Sequence, residues 1–298
     1  MPALLLHLTA VERLAADARK LPPPIARALN EDIEYARLGT ALPDLPQFGG
    51  LLGGWRQWPR RPRPVPHFAR LLHGYAPVAL GLKMAELVAM GALVGKEPGL
   101  AFVSGYFAHL CLDRTLHPLV ETLAARHRQA DETGEAAHAR IDWLHALFYL
   151  RDLHGRDMAG NPYLRSRFQV TKRAGPPARG IGRGLYELIR LASQETLQQA
   201  PTKSEIDRWV RGMYLYGFVL SSPVGRLRGL PSYSNLSYRE LYQGPDVDVP
   251  AAVEKAQALT REVLERLSAL MNRTHFTARL RARFLDEFPE GSVEACAA

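Results

Sequence analysis

The sequence predicts an all-α protein, and three observations carry that expectation. Apolar residues recur at three- and four-residue intervals along most of the chain, and no segment alternates apolar and polar residues as a half-buried strand would. Proline and glycine gather in a few places that punctuate these periodic runs. Helices are expected over 10–20, around Val11 and Leu14, and over 24–36, which follows a proline run and carries Ile25 and Leu29. The long apolar run 67–93 is expected as one helix, followed by 98–117 with its aromatic core residues Phe102 and Phe107. Downstream come 133–153, 185–199, 203–220, 250–271 and 274–287, each with apolar positions at helical spacing.

Between them, 43–66 is a connection rich in proline, glycine and arginine, long enough to suggest a functional loop. A second break, 161–184, is rich in glycine, proline and arginine. It divides the chain into a core over 1–160, the linker itself, and a helical region over 185–298 that packs on the core. Gly180, Gly182 and Gly184 have no preceding strand, so a dinucleotide-binding reading is poor.

With 298 residues, 47% of them hydrophobic and 23% charged, the chain can bury a core of ordinary composition. No apolar run reaches the roughly 18 residues a membrane-spanning helix needs, since Lys83 and Glu86 interrupt the best candidate. The first residues lack the basic and long apolar regions of a secretory signal, which points to a cytoplasmic protein. Cys111 and Cys296 alone make no disulfide framework. A formal charge of +8 favours anionic partners: phosphate esters, acidic lipid surfaces or nucleic acid.

The most informative stretch places His109, Asp113 and His117 four residues apart within an apolar run. On a helix these three share a face spanning roughly 80°. A single His or Asp in such a place is most often a hydrogen-bonded core residue. Three in register are different, because a desolvated carboxylate needs a cation or donors and a divalent metal supplies one. Cys111, about 200° around from its neighbours on that face, should point away as a small core residue. Pro118 disfavours helix at the preceding position, so His117 is expected where the helix ends or kinks.

His138 and Asp142 repeat the four-residue spacing on the next helix, with His145 nearby as a core or supporting residue. Upstream, Asp44 lies between two prolines, His67 opens a helix and His7 lies near the start. All these candidates offer nitrogen or carboxylate oxygen and none is a thiolate, a mixture that suits zinc in a hydrolytic site ahead of manganese or iron.

The block Gly105-Tyr106-x-x-His109-x-x-x-Asp113-x-x-x-His117-Pro118, with Leu42-Pro43-Asp44 before it and His138-x-x-x-Asp142 after it, resembles the zinc-dependent phospholipase C family over residues 1–153. The spacing from Asp113 to His117 is similar to that of the domain in glycosylphosphatidylinositol-specific phospholipase D. Asp142 stands where the secreted phospholipases carry Glu, as in the related fungal single-strand nucleases. The resemblance implies a multi-helix bundle with two or three zinc ions under a phosphodiester-binding cleft. It implies His7 as an early ligand, and Asp44 as a ligand or base beside the attacking water. His67, His109 and Asp113 would complete one site, Asp113 could bridge, and His117, His138 and Asp142 would hold another. The secreted enzymes also use a mature amino-terminal tryptophan as a ligand, whereas this chain begins Met1-Pro2, which weakens the case for a third ion.

The implied activity is hydrolysis of a phosphate ester, of the phospholipase C type, with nuclease or small-molecule phosphatase activity as alternatives. A non-catalytic helical module that keeps metal for structure is the rival outside enzymology. Arg56, Arg60, Arg61 and Arg63 on the long connection are candidates to neutralise substrate phosphate. Trp55 and Trp58 beside them could touch lipid or stack on a base, or anchor the loop.

Overall fold

The computed structural model describes residues 4–51, 66–91, 93–156, 158–168, 170, 181–223, 238–272 and 276–290. Within them, helices follow one another from Leu4 to Glu287, with one two-residue strand pair, so the fold is an all-α bundle. The helices are α1 (Leu4–Ala16), α2 (Pro23–Glu31), α3 (Ile33–Ala41), α4 (Leu45–Phe48), α5 (His67–Gly74), α6 (Pro77–Ala89), α7 (Lys96–Arg126) and α8 (Gly134–His154). The series continues with α9 (Tyr163–Arg167), α10 (Arg183–Leu197), α11 (Lys203–Leu220), α12 (Tyr238–Leu241), α13 (Val249–Met271) and α14 (Ala278–Glu287). Strands β1 (Gln243–Gly244) and β2 (Val247–Asp248) pair antiparallel between α12 and α13.

Several boundaries differ from those expected. The first helix begins at Leu4 and not at residue 10, because Leu4 to Val11 are all buried and show no polar face from which a period could be read. The expected helix 24–36 divides at Asp32, whose backbone (φ −131°, ψ 41°) is not helical. The run 67–93 divides at Ala76, which Pro77 forces out of the helical region (φ −158°, ψ 60°) while starting α6 itself. The helix expected to end or kink at His117 instead passes through Pro118 to Arg126, 31 residues in all and about 46 Å long. Packing against α3, α13, α2, α6 and α8 outweighs the one ladder bond that proline removes, and the Pro118 ring is exposed.

α7 is therefore the central beam, with Phe102, Tyr106 and Phe107 fully buried along it. Its contact with α3 is backbone to backbone: a Cβ at Gly105 would overlap the carbonyl oxygen of Ala36, and one at Gly39 would overlap that of Phe102. These reciprocal glycines let the two helices approach more closely than any side chain allows. The C-terminal helices cover the N-terminal ones, with α11 against α4, α10 against α6 and α13 against α7. One apolar core runs from Leu4 to Phe288. The chain also caps itself: the Glu290 carboxylate accepts hydrogen bonds from the backbone N–H groups of Val78 and Ala79 at 2.8 Å each, at the start of α6.

Cys111 is buried against Thr260 of α13, and burial pushes its thiol up to about 12. His145 is likewise a core residue. Its Nε2–H donates to the Leu241 carbonyl at 2.7 Å, tying α8 to α12, and burial pushes the imidazole down to about 4. A depressed His contributes stability that is present above its unfolded value near 6.5 and is lost as pH falls through the folded value. Denaturant unfolding should therefore show wild type losing roughly 2–3 kcal/mol more than His145→Gln between pH 7 and pH 4. Equal losses in both proteins would remove His145 from the acid response.

Candidate metal centre

Four imidazoles converge on one buried carboxylate. Asp113 of α7 places its Oδ1 3.1 Å from His7 Nε2 and 3.3 Å from His117 Nε2. Its Oδ2 lies 2.9 Å from His109 Nε2 and 3.9 Å from His73 Nε2. The four-residue spacing along α7 delivers His109, Asp113 and His117 to one face, and α1 adds His7. Asp44, on the turn between α3 and α4, brings its Oδ1 to 3.5 Å from His73 Nε2 and accepts a hydrogen bond from Gln47. Ligand atoms of His7, His109 and Asp113 lie within 4.8 Å of one another, as do those of Asp44, His73 and His109.

His73 replaces the expected His67. Both lie on α5, but His67 is exposed at its first position and hydrogen-bonds Gln199 at 2.8 Å, which makes it a tether to the end of α10. His73, nearly two turns later, faces inward. Within one expected helix over 67–93, His73 has no histidine or acid three or four residues away, so no local spacing marked it as a ligand.

Backbone carbonyls fix the chemistry of two rings. His109 Nδ1 is 2.8 Å from the Thr40 carbonyl, and His73 Nδ1 is 2.8 Å from the Ala69 carbonyl. A carbonyl only accepts, so each Nδ1 carries the hydrogen and each neutral Nε2 is a bare lone pair. These two nitrogens lie 3.3 Å apart, facing Asp44 and Asp113, so acceptors meet acceptors. Such a cluster needs a cation, and the arrangement of imidazole Nε2 inward and Nδ1–H on a carbonyl is the one metal-ligating histidines use. The residues present therefore fit a metal ion. The stacking of His7 on His109, with ring centroids 4.1 Å apart, adds to the cost of protonating both rings.

The electrostatics agree. Burial opposes charge on Asp113, but His109, His117 and His7 outweigh it and hold the carboxyl well below its usual range. Burial likewise opposes charge on Asp44, where His73, His109 and His7 prevail. His7 is pushed down by burial and by His109. His109 is raised despite its burial because Asp113 sits beside it.

His117 leads to a second arm. Its ring meets that of His138 of α8 at 5.2 Å, and burial with His117 pushes His138 down to about 4. Asp142, one turn further along α8, is buried and pushed up to about 6, first by desolvation and also by Asp113 and Asp44. The structure thus brings together His7, Asp44, His109, Asp113 and His117, with His138 and Asp142 alongside, adds His73 and leaves His67 outside. Arg56, Arg60, Arg61 and Arg63, with Trp55 and Trp58, lie outside the described residues. Among the described residues no helix is long and apolar enough to cross a membrane. No protein-family model matches the chain, and neither does any curated protein or solved structure.

Proposed function

We propose that the protein is a metal-dependent hydrolase of phosphate esters, phospholipase C-like in its choice of a phosphodiester. The observation that carries this reading is the convergence of lone pairs from His73 and His109 with Asp44 and Asp113, extended through His117 to His138 and Asp142. Nitrogen and oxygen donors without thiolate favour zinc, ahead of manganese or iron. Bound zinc would supply a Lewis acid for the phosphoryl oxygens and an attacking water acidified toward neutral pH.

The chain's own residues have separate tasks. His7, His73, His109 and Asp113 would hold the metal. Asp44, kept ionised by the imidazoles around it, accepts a hydrogen bond from the attacking water and so orients it. His117, His138 and Asp142 form the second ligand group, and the net charge of +8 suits an anionic substrate.

Protein purified without added metal should carry at least one equivalent of zinc by elemental analysis. It should hydrolyse at least one substrate among a fluorogenic phosphodiester, phospholipid vesicles, single-stranded DNA and a phosphomonoester, and the preferred arm names the substrate class. Less than one equivalent of any metal, even after reconstitution, would sink the reading. Full metal content with no turnover in any arm would leave a non-catalytic metal-binding module.

A further inference from the structure

Five large apolar side chains are exposed among the described residues, and three of them, Leu153 at 46%, Tyr163 at 40% and Phe218 at 52%, lie together. Direct contacts join them. The Tyr163 ring meets the ring of His154, next to Leu153, at 5.2 Å, and the Arg165 guanidinium lies over the Phe218 ring at 5.3 Å. The Gly160 backbone N–H also donates to the Leu220 carbonyl at 3.0 Å. The end of α8, the short α9 and the end of α11 therefore form one surface.

α11 contributes to it in an unusual way. From Gly212 to Leu220 the helix carries no charged side chain. Its inner side is accounted for: a Cβ at Gly212 would overlap the Phe48 carbonyl oxygen, and Tyr216 packs between Phe48 and Phe168. Its outer side is Tyr214, Leu215, Phe218 and Val219, with Phe218 exposed and the others half-buried. A surface helix normally turns polar residues outward, and a helix that is apolar all round has a second apolar medium to meet.

The rim of this face is basic. Arg156 and Arg165 flank Tyr163 in the chain, and Arg211 lies two turns before Phe218 on the same side of α11. All three are exposed, and among the described residues none forms an ion pair. A second copy docked on the same face would bring like charges together. Single-stranded nucleic acid would need rings on which to stack, whereas Leu153, Leu215 and Val219 have none. Apolar tips ringed by arginine suit the boundary between lipid headgroups and acyl chains, and Arg165 seated on Phe218 carries its charge to the headgroups as the ring enters.

We infer that this face docks the protein on an anionic phospholipid bilayer, with Phe218 and Leu153 entering the headgroup boundary and Arg156, Arg165 and Arg211 meeting lipid phosphates. The surface is separate from the metal centre, and the inference stands whichever phosphate ester that centre cleaves.

Vesicle co-sedimentation of the full chain tests it without turnover. Binding to phosphatidylcholine vesicles that contain phosphatidylserine should be at least about 10-fold tighter than to phosphatidylcholine alone, and should weaken as salt rises. Phe218→Ser should weaken it about 10-fold and Arg165→Gln about 5-fold. Both side chains are exposed, so Tm should match wild type. Wild type that stays in the supernatant with anionic vesicles at low salt would overturn the inference. So would two variants that sediment as wild type does, or a Phe218→Ser protein that loses Tm with its binding while Arg165→Gln binds fully. Dimerisation in sedimentation velocity that Phe218→Ser abolishes would give the face to a second copy. Binding to a single-stranded oligonucleotide more tightly than to vesicles, lost in the same variants, would give it to nucleic acid.

Discussion

His109→Ala is expected to lower metal affinity and phosphate-ester turnover by more than about 100-fold, beyond the range seen when only a hydrogen-bond partner of a ligand is lost. His109 supplies an inward lone pair, is held by the Thr40 carbonyl and lies closest to Asp113 Oδ2. Without it, Asp113 keeps its burial but loses the imidazole that most favours its charge. Removal of a fully buried ring also costs stability, roughly 2–4 kcal/mol, so folding must be checked by circular dichroism at the assay temperature. Asp113→Asn is the companion variant: it preserves volume and removes only the anionic charge that both arms share. Elemental analysis and turnover are then measured on the folded variants. Wild-type metal content in both would place the ion elsewhere.

Gly105→Ala should be strongly destabilising for a single added methyl, costing about 3 kcal/mol or more in denaturant unfolding. Its Cβ would collide with the backbone of Ala36, which cannot move aside as a side-chain tip does, so α3 and α7 must separate. Separation would draw the Thr40 carbonyl away from His109, and metal affinity should fall although Gly105 touches no ligand. Gly134→Ala is the control. It also puts a methyl in a helix, but into open space at the start of α8, and should be neutral or slightly stabilising. Equal effects at both positions would mean that the close α3–α7 contact carries no special weight.

Much of this architecture was legible in the sequence because most helices have one buried face and one wet one. The helix over Lys203–Leu220 matches its expected limits, with Thr202 and Glu205 forming a reciprocal cap. Periodicity failed where a helix is buried all round, as at Leu4 to Val11, so His7 could be placed near the start but not on an element. The α7 ligand column was readable because its spacing is local. The exchange of His67 for His73 was not, because only the break at Ala76 and the packing of α5 decide which end of that helix turns inward. Nor could periodicity show that His117 stays within a continuous helix, since the loss at Pro118 is offset by contacts distant in sequence. The seating of α11 on α4, where a Cβ at Gly212 would overlap the Phe48 carbonyl oxygen, is likewise encoded by no local pattern.

The bonds from the Thr40 and Ala69 carbonyls to His109 and His73 have a consequence for how this centre can vary. Both are main-chain atoms that every residue type carries, so exchanging the side chains at these two positions leaves the acceptors in place. Part of the machinery that orients the ligands is thus silent to substitution, and a scan that truncates side chains one by one would score positions 40 and 69 by packing alone. Only a change that displaces the backbone itself, such as a proline that breaks the end of α3, would reveal what those two oxygens hold.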